Sequence, residues 1–434
     1  MRRARPSRFG SSVSARDVAD VLSGGGAPPA PRYRFVVEGA LLWVQVAMGL
    51  SFIAVAPLFP LIIDDYGIDN ATASLLIGGT ALAFALSTIP GGLIAARFGW
   101  WRATFFGGLL MSAMVLAPLA SNFTILLALR LAFAAGGATV MGALPSAVMS
   151  WFPLRELPIV NGTNIVGQSI GVTISVFSVA AIAAIFGWRE SLMLFGLVSL
   201  AGVGVFALLA RVPEQPVGAP ISPTFSMSLL LSVLRDPTTL LLGFGIAGGV
   251  AAFIGLNSWL PTYYQQEWGW SLERAGQVVA IPSFFGIVGA LVGSALPVRI
   301  GLRRPLIIVA GVVMPIAVFG SFISESPLVL FPSLALLGFV SWIHFPSVMT
   351  MPMEFPGATL ERATLSFATM MTIGNVSGFF SPLMVGLLRD QTGSFGLGFT
   401  ICVAFPLSLI IAGLLVPETG PRGRARTTSA ADAS

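Results

Sequence analysis

Few side chains in this 434-residue sequence could do chemistry, and most of those lie inside long apolar runs. Arg130 interrupts one such run about seven residues from its start, roughly 10 Å deep at helical rise. An ionisable residue at that depth costs several kcal/mol unless it faces protein or water, so it marks a functional position. Two roles fit it. It could be a cation in a water-filled cavity, attracting an anion or coupling to a proton, or a long side chain reaching back to the outer headgroups. His344, the only histidine, lies within another run. Its ordinary titration near neutrality suits a coupling proton, and a neutral ring bonded to a backbone carbonyl is the alternative. Glu38 and Glu354 stand near the ends of two runs, either as coupling acids or as solvated helix ends.

Amides form a second group. Gln168 lies inside Gly167-x-x-x-Gly171 and Asn375 inside Gly374-x-x-x-Gly378. Such glycines let helices approach closely, and amides there can bond across helices. Binding sites also form near mid-membrane where internal repeats meet. Gln45, Asn164 and Asn257 are candidates of the same type for holding a solute. Trp43, Trp259, Tyr263 and Tyr264 either line a cavity or belt the membrane interface.

Soluble-enzyme chemistry has no foothold. The sequence has no phosphate-binding glycine loop, no His-Glu-x-x-His and no Cys/His cluster. One histidine and one cysteine exclude a metal site built on those ligands. Cys402 cannot pair with a second cysteine and reads as a small buried apolar residue. No catalytic residue, metal, cofactor or nucleic-acid partner is therefore expected. The expected partners are a small solute, protons and the bilayer, with the chain working as a monomer.

The elements that position these residues are apolar helices. The chain is 55% hydrophobic and 9% charged, with mean hydropathy +0.89, whereas a soluble chain carries about a quarter charged residues. Runs of about 20 apolar residues span a bilayer. Twelve are read, near 36–63, 72–96, 103–120, 123–151, 158–186, 190–210, 237–264, 273–298, 305–322, 327–352, 363–387 and 394–416. The fold class is all-α, a polytopic membrane protein in two six-helix bundles, residues 35–213 and 237–418. A Pro- and Ser-containing connector, 214–236, joins them. Residues 1–34 form an Arg-rich tail expected to be disordered, and 419–434 a second tail. No apolar run follows the first arginines, so no signal peptide is expected. All 23 basic residues are arginine, and 19 of them fall in the tails and the loops on the tails' side. Cytoplasmic loops are enriched in arginine, which puts both termini in the cytoplasm and the chain in the plasma (inner) membrane.

The halves are copies. The loop Gly92 to Arg102 recurs about 200 residues later, with Arg97 on Arg299, Gly99 on Gly301 and Arg102 on Arg304, beside Arg303. Phe52 falls on Phe253, Pro60 on Pro261, Pro145 on Pro346, and Val212-Pro213-Glu214 on Val416-Pro417-Glu418. This pattern resembles the major facilitator superfamily over roughly residues 35–418. The family loop reads Gly-x-x-x-Asp-Arg-x-Gly-Arg-Arg, and its acid belongs to a charge relay that closes the cytoplasmic side. Ala96 stands in that place here, and Val298 in the copy. Arg130 with Gly136-Gly137 is similar to the family's fourth-segment motif linked to proton coupling, with Ala134 where a glycine is usual. Val172 follows Gly171, so the Gly-Pro motif of drug antiporters is missing. Phe186-Gly-Trp-Arg-Glu190, Gly374-Asn-Val-Ser-Gly378 and Asp390-Gln-Thr-Gly393 resemble the anion-symporter and cyanate/nitrate-like branches. Nitrate porters carry arginines mid-way through segments 2 and 8, and this chain has none there. A buried arginine without a strong intramembrane acid partner, its planar fork matched to carboxylates, makes the expected solute a small organic or inorganic anion, carboxylate- or cyanate-like, carried by proton symport, with exchange or uniport left open. An exporter of amphipathic compounds, or a transport-inactive sensor on the same fold, are the alternatives.

Overall fold

A computed structural model shows how the segments assemble. It describes residues 32–153, 156–213, 227–355, 359–420 and 422. The expected tail 1–31, most of the connector (214–226), Arg155, Glu214, Arg424 and Arg426 lie outside the described residues.

Twelve spans are long and apolar enough to cross a membrane. The first half holds spans 1 to 6: Arg34–Tyr66, Asn70–Phe98, Trp100–Leu119, Phe123–Trp151, Ile159–Phe186 and Trp188–Leu209. The second holds spans 7 to 12: Pro237–Gln266, Leu272–Ile300, Arg304–Ile323, Pro327–Glu354, Arg362–Thr392 and Gly396–Leu415. Within the connector, Met227–Leu234 is a short helix rather than extended chain. An even number of spans brings the start of span 1 and the end of span 12 to one face, called here the tail end; the opposite face is the far end.

Spanning lipid requires every backbone polar group to find a partner inside the protein. Helix starts meet this with side chains. Asp69 accepts from the Thr72 N–H at 2.7 Å, Asn122 from Ile125 at 3.0 Å and Asp236 from Thr239 at 3.0 Å. Four spans leave regular α-helix in mid-course: span 3 turns to a 3₁₀ helix at Ser112–Leu119, span 12 is interrupted between Gly396–Ala404 and Leu407–Leu415 at Pro406, and spans 1 and 10 break as well. Span 1 leaves helix after Phe52 and resumes as a 3₁₀ turn at Ala56–Leu58 and a helix at Phe59–Tyr66. Pro57 and Pro60, lacking N–H groups, prevent continuity. Span 10 breaks at His344, between Pro327–Ile343 and Phe345–Glu354, with Pro346 just beyond.

The repeat is visible in the backbone. Every described residue with positive φ is a glycine, and they form three pairs at the repeat spacing: Gly67 and Gly269, Gly99 and Gly301, Gly187 and Gly393. A side chain is strained in that conformation, so each copy keeps a glycine. The two Gly-x-x-x-Gly stretches also play matching parts. Gly167 and Gly171 on span 5 meet span 1, where a Cβ on Gly171 would fall on the Val46 carbonyl. Gly374 and Gly378 on span 11 meet span 7 at Ile246, Val250 and Ile254.

The halves join at the far end. Spans 2 and 11 pack antiparallel, and spans 5 and 8 do likewise, where Gly276 approaches Val176, Ala180 and Pro57. Phe59 of span 1 rests against Trp259 of span 7, ring centroids 4.8 Å apart. Along spans 2 and 11 the glycine approaches run from Gly386 against Asn70, through Gly78 against Phe379, to Gly378 against Ala81.

Candidate functional site

The polar side chains singled out by the sequence sort into four settings. Arg130 is fully buried, with 0% exposure, and lines no open cavity. Its Nη1 donates to the Ser51 carbonyl at 2.6 Å, Nη2 to Phe52 at 2.7 Å and Nε to Leu76 at 3.0 Å. In this conformation the side chain neither faces water nor reaches the headgroups, the two settings expected for it. Ser51 and Phe52 end the first part of span 1, where the break leaves carbonyls without helical partners. The guanidinium caps that end from a neighbouring helix, cation against the negative end of the helix dipole. Sequence could show Arg130's depth, but two of its three partners, Ser51 and Phe52, are free to accept only because span 1 breaks; the third, Leu76, lies on span 2.

Glu38 and Asn164 meet between spans 1 and 5. Asn164 Nδ2 donates to Glu38 Oε1 at 2.7 Å and to the Val160 carbonyl at 3.0 Å. Gln45 lies two turns further along span 1, 2% exposed, with a buried Oε1 that has no partner. Gln168, half-buried, stands one turn beyond Asn164, its carbonyl beneath Gly49.

His344, 3% exposed, sits at the break of span 10, its Nδ1 donating to the Val340 carbonyl at 3.2 Å and its ring against Gly249 of span 7. Asn375 and Asn257 each donate to their own helices, at Met371 and Phe253. Asn375, the one of these two inside a glycine pair, thus bonds within its own helix and not across helices.

At the tail end Glu354 is committed to a clamp. Its two oxygens take Arg303 Nε and Nη2, each at 2.6 Å, and it also accepts from Thr419 at 2.7 Å. Glu418 accepts from the backbone N–H of Arg303 at 2.9 Å and of Arg304 at 3.1 Å. These two acids supply the negative charge that Val298 cannot. Arg304 reaches the last carbonyls of span 12, Gly413 and Leu414, both at 2.7 Å. In the first half Trp101 makes the matching tie, donating to Ala210 at the end of span 6 at 2.8 Å, while Arg97, Arg102 and Arg299 stay exposed. Gly92, the loop's first matched residue, meets the backbone approach of Gly142 from span 4.

The far-end seal contains residues that the sequence did not single out for this role. Asp390, on span 11, accepts from the Asn70 N–H at 3.2 Å, Asn70 Nδ2 at 2.6 Å and the Ala71 N–H at 2.8 Å. Asp69 takes the next N–H, so a carboxylate from the second half completes the cap of a first-half helix. Ser74 adds a bond to the Pro382 carbonyl at 2.9 Å. Trp259 is neither an interfacial belt nor a cavity wall. It is wholly buried and donates to Pro382 at 2.9 Å. Tyr264 is buried likewise, whereas Trp43 is 41% exposed and donates to Val198.

Two pseudo-equivalent six-helix bundles sealed at one end are the build of a membrane transporter. The family profile of the Major Facilitator Superfamily matches residues 41–382, and the chain belongs to that family. It is 25% identical over 395 residues to the probable sulfoacetate transporter of Cupriavidus necator, covering 85% of this chain and 90% of that one. It is 25% identical over 364 residues to a quinolone resistance transporter of Acinetobacter baumannii, covering 77% of this chain and 82% of that one. A bacterial homologue of the human lysosomal transporter Spinster, solved inward-facing and unoccupied, superposes with a TM-score of 0.69. That match has 18% identity and covers 90% of this chain and 95% of the other. These relatives are transporters, not enzymes.

Proposed function

We propose that this protein carries a small organic or inorganic anion, carboxylate- or cyanate-like in size, by alternating access driven by proton symport. The observation behind it is the one-ended seal. Four hydrogen bonds, from Asn70, Ala71 and Ser74 to Asp390 and Pro382, hold the halves together at the far end. The close glycine approaches between halves stop near Ala81 and Gly378. Rocking the bundles about mid-membrane would trade this seal for one at the tail end. The arginine bias makes the tail end cytoplasmic, in the plasma (inner) membrane, and the described state inward-open. The solute class follows the sulfoacetate relative and the branch motifs. With Arg130 withdrawn behind carbonyls, the half-buried amides Gln168 and Asn375 are the first candidates to meet the solute, while Gln45, Asn257 and His344, buried in this state, would need the bundles to rock to reach it. The working unit is the single chain.

A second reading, export of amphipathic compounds, is favoured by the absence of a free mid-span cation among the described residues and by the relative named for quinolone resistance. Proteoliposomes separate the two. Vesicles preloaded with sulfoacetate should accumulate external labelled sulfoacetate by counterflow. If sulfoacetate does not exchange while a lipophilic cation such as tetraphenylphosphonium is expelled, the exporter reading takes over.

A further inference from the structure

We infer that Glu38 and Asn164 together form a proton-binding site, one proton being held between Glu38 Oε2 and Asn164 Oδ1. Glu38 is 9% exposed and Asn164 1%. Their contact uses one atom of each: Nδ2 donates to Oε1 at 2.7 Å, and its second hydrogen goes to the Val160 carbonyl. The other atoms of the pair, Glu38 Oε2 and Asn164 Oδ1, are buried acceptors with no donor. An ionised carboxylate and an amide oxygen can only accept, so neither relieves the other. Leaving both bare costs about 1–3 kcal/mol apiece. A single proton on Oε2 converts it to a donor toward Oδ1. The carboxylic acid and the amide then face each other through two antiparallel hydrogen bonds, and both orphans vanish together. A hard divalent cation takes six or more oxygens, and these side chains offer two.

The surroundings leave the site uncompensated. One turn nearer the tail end, Arg34 pairs with Glu156 at 3.0 Å. Arg211, beyond span 6, lies over the Tyr33 ring at 5.5 Å. Arg130 of span 4 is bound to Ser51, more than three turns along span 1. Span 5 carries no charged side chain, and Arg189 and Glu190 of span 6 lie at the far end. Loss of the proton would therefore leave a charge that needs more water than a 9% exposed side chain meets in this state. Use of the site as the coupling step rests on the symport reading; its existence does not.

Infrared difference spectroscopy of the purified protein in lipid, stepped from mildly acidic to alkaline buffer, tests it without any solute. The wild type should show the carbonyl stretch of a hydrogen-bonded protonated carboxyl that bleaches as the pH rises. Glu38→Gln, which reproduces the paired protonated form with an amide, should lack the band. Asn164→Leu should keep the band at higher frequency, because its hydrogen bond is gone. A band that survives Glu38→Gln, or that Asn164→Leu does not move, overturns the site; the second arm decides if Glu38→Gln fails to fold. A Glu38 band with sulfoacetate uptake indifferent to a proton gradient keeps the site and removes symport. Gradient-driven uptake with no Glu38 band removes the site and leaves symport standing.

Discussion

Replacing Asp390 by alanine should loosen the far-end seal without harming either bundle. The carboxylate supplies three acceptor contacts to the start of span 2, at 3.2, 2.6 and 2.8 Å. These contacts exist only while the halves touch at this end. Removing an N-cap acceptor costs about 0.5–2 kcal/mol. Asn70 and Asp390 lie near the surface, so water can replace part of the loss, and a bias of about 1–1.5 kcal/mol is a fair expectation. Since about 1.4 kcal/mol is tenfold in an equilibrium constant, the far-open population should rise roughly five- to tenfold. Spin labels at Asp64→Cys and Glu325→Cys, one on each half at the far end, in a Cys402→Ser background, would report it by pulsed electron resonance. The long-distance population should grow with Asp390→Ala and less with Asp390→Asn, whose amide oxygen still accepts. An unchanged distance distribution in Asp390→Ala would refute the idea that this cap helps hold the far end shut.

Other perturbations follow from the same geometry. Arg130→Met should strip the Ser51, Phe52 and Leu76 carbonyls of their buried donor and lower stability by about 3 kcal/mol, read by thermal melting in detergent. Arg130→Lys, a point charge without the fork, should fall between the two. Gly171→Leu drives a side chain into the Val46 carbonyl, and overpacking of this kind costs about 1–3 kcal/mol. Gly39→Ala, at a glycine with open space around its Cβ position, should melt like wild type. Asp69 is held below the ordinary carboxylate range by the Thr72 hydroxyl and N–H. Its contribution is therefore complete above the ordinary value of about 3.9 and fades as pH falls through its lower folded value. Asp69→Asn should remove that acid-side step from a stability–pH profile.

Much of the frame was legible because the physics is local. A backbone that turns through positive φ keeps glycine, so Gly99 and Gly301 gave away the repeat. Helices in lipid must be long and apolar, so their number and ends came through. The site was legible only in part. Glu38 and Asn164 were each visible as polar residues in apolar runs, yet their bond spans 126 residues and no periodicity encodes it. Asp390 stood in a recognisable motif, but its partner lies 320 residues away, on the other half. Arg130 looked like a solute anchor because depth alone signals function. Two of its carbonyl partners, Ser51 and Phe52, arise from the break in span 1, which the sequence hinted at only through Pro57 and Pro60. Glu354 read as a free acid until Arg303, brought to it by the loop of the second repeat, claimed both its oxygens.

The measurement that bears most directly on the account is sulfoacetate transport by the purified protein in proteoliposomes, with and without an inward proton gradient. Counterflow under both conditions, with net accumulation only when the gradient is present, is the result the account predicts. Absence of exchange for sulfoacetate, simple monocarboxylates, dicarboxylates, cyanate and nitrate alike, in vesicles that do expel lipophilic cations, would contradict it.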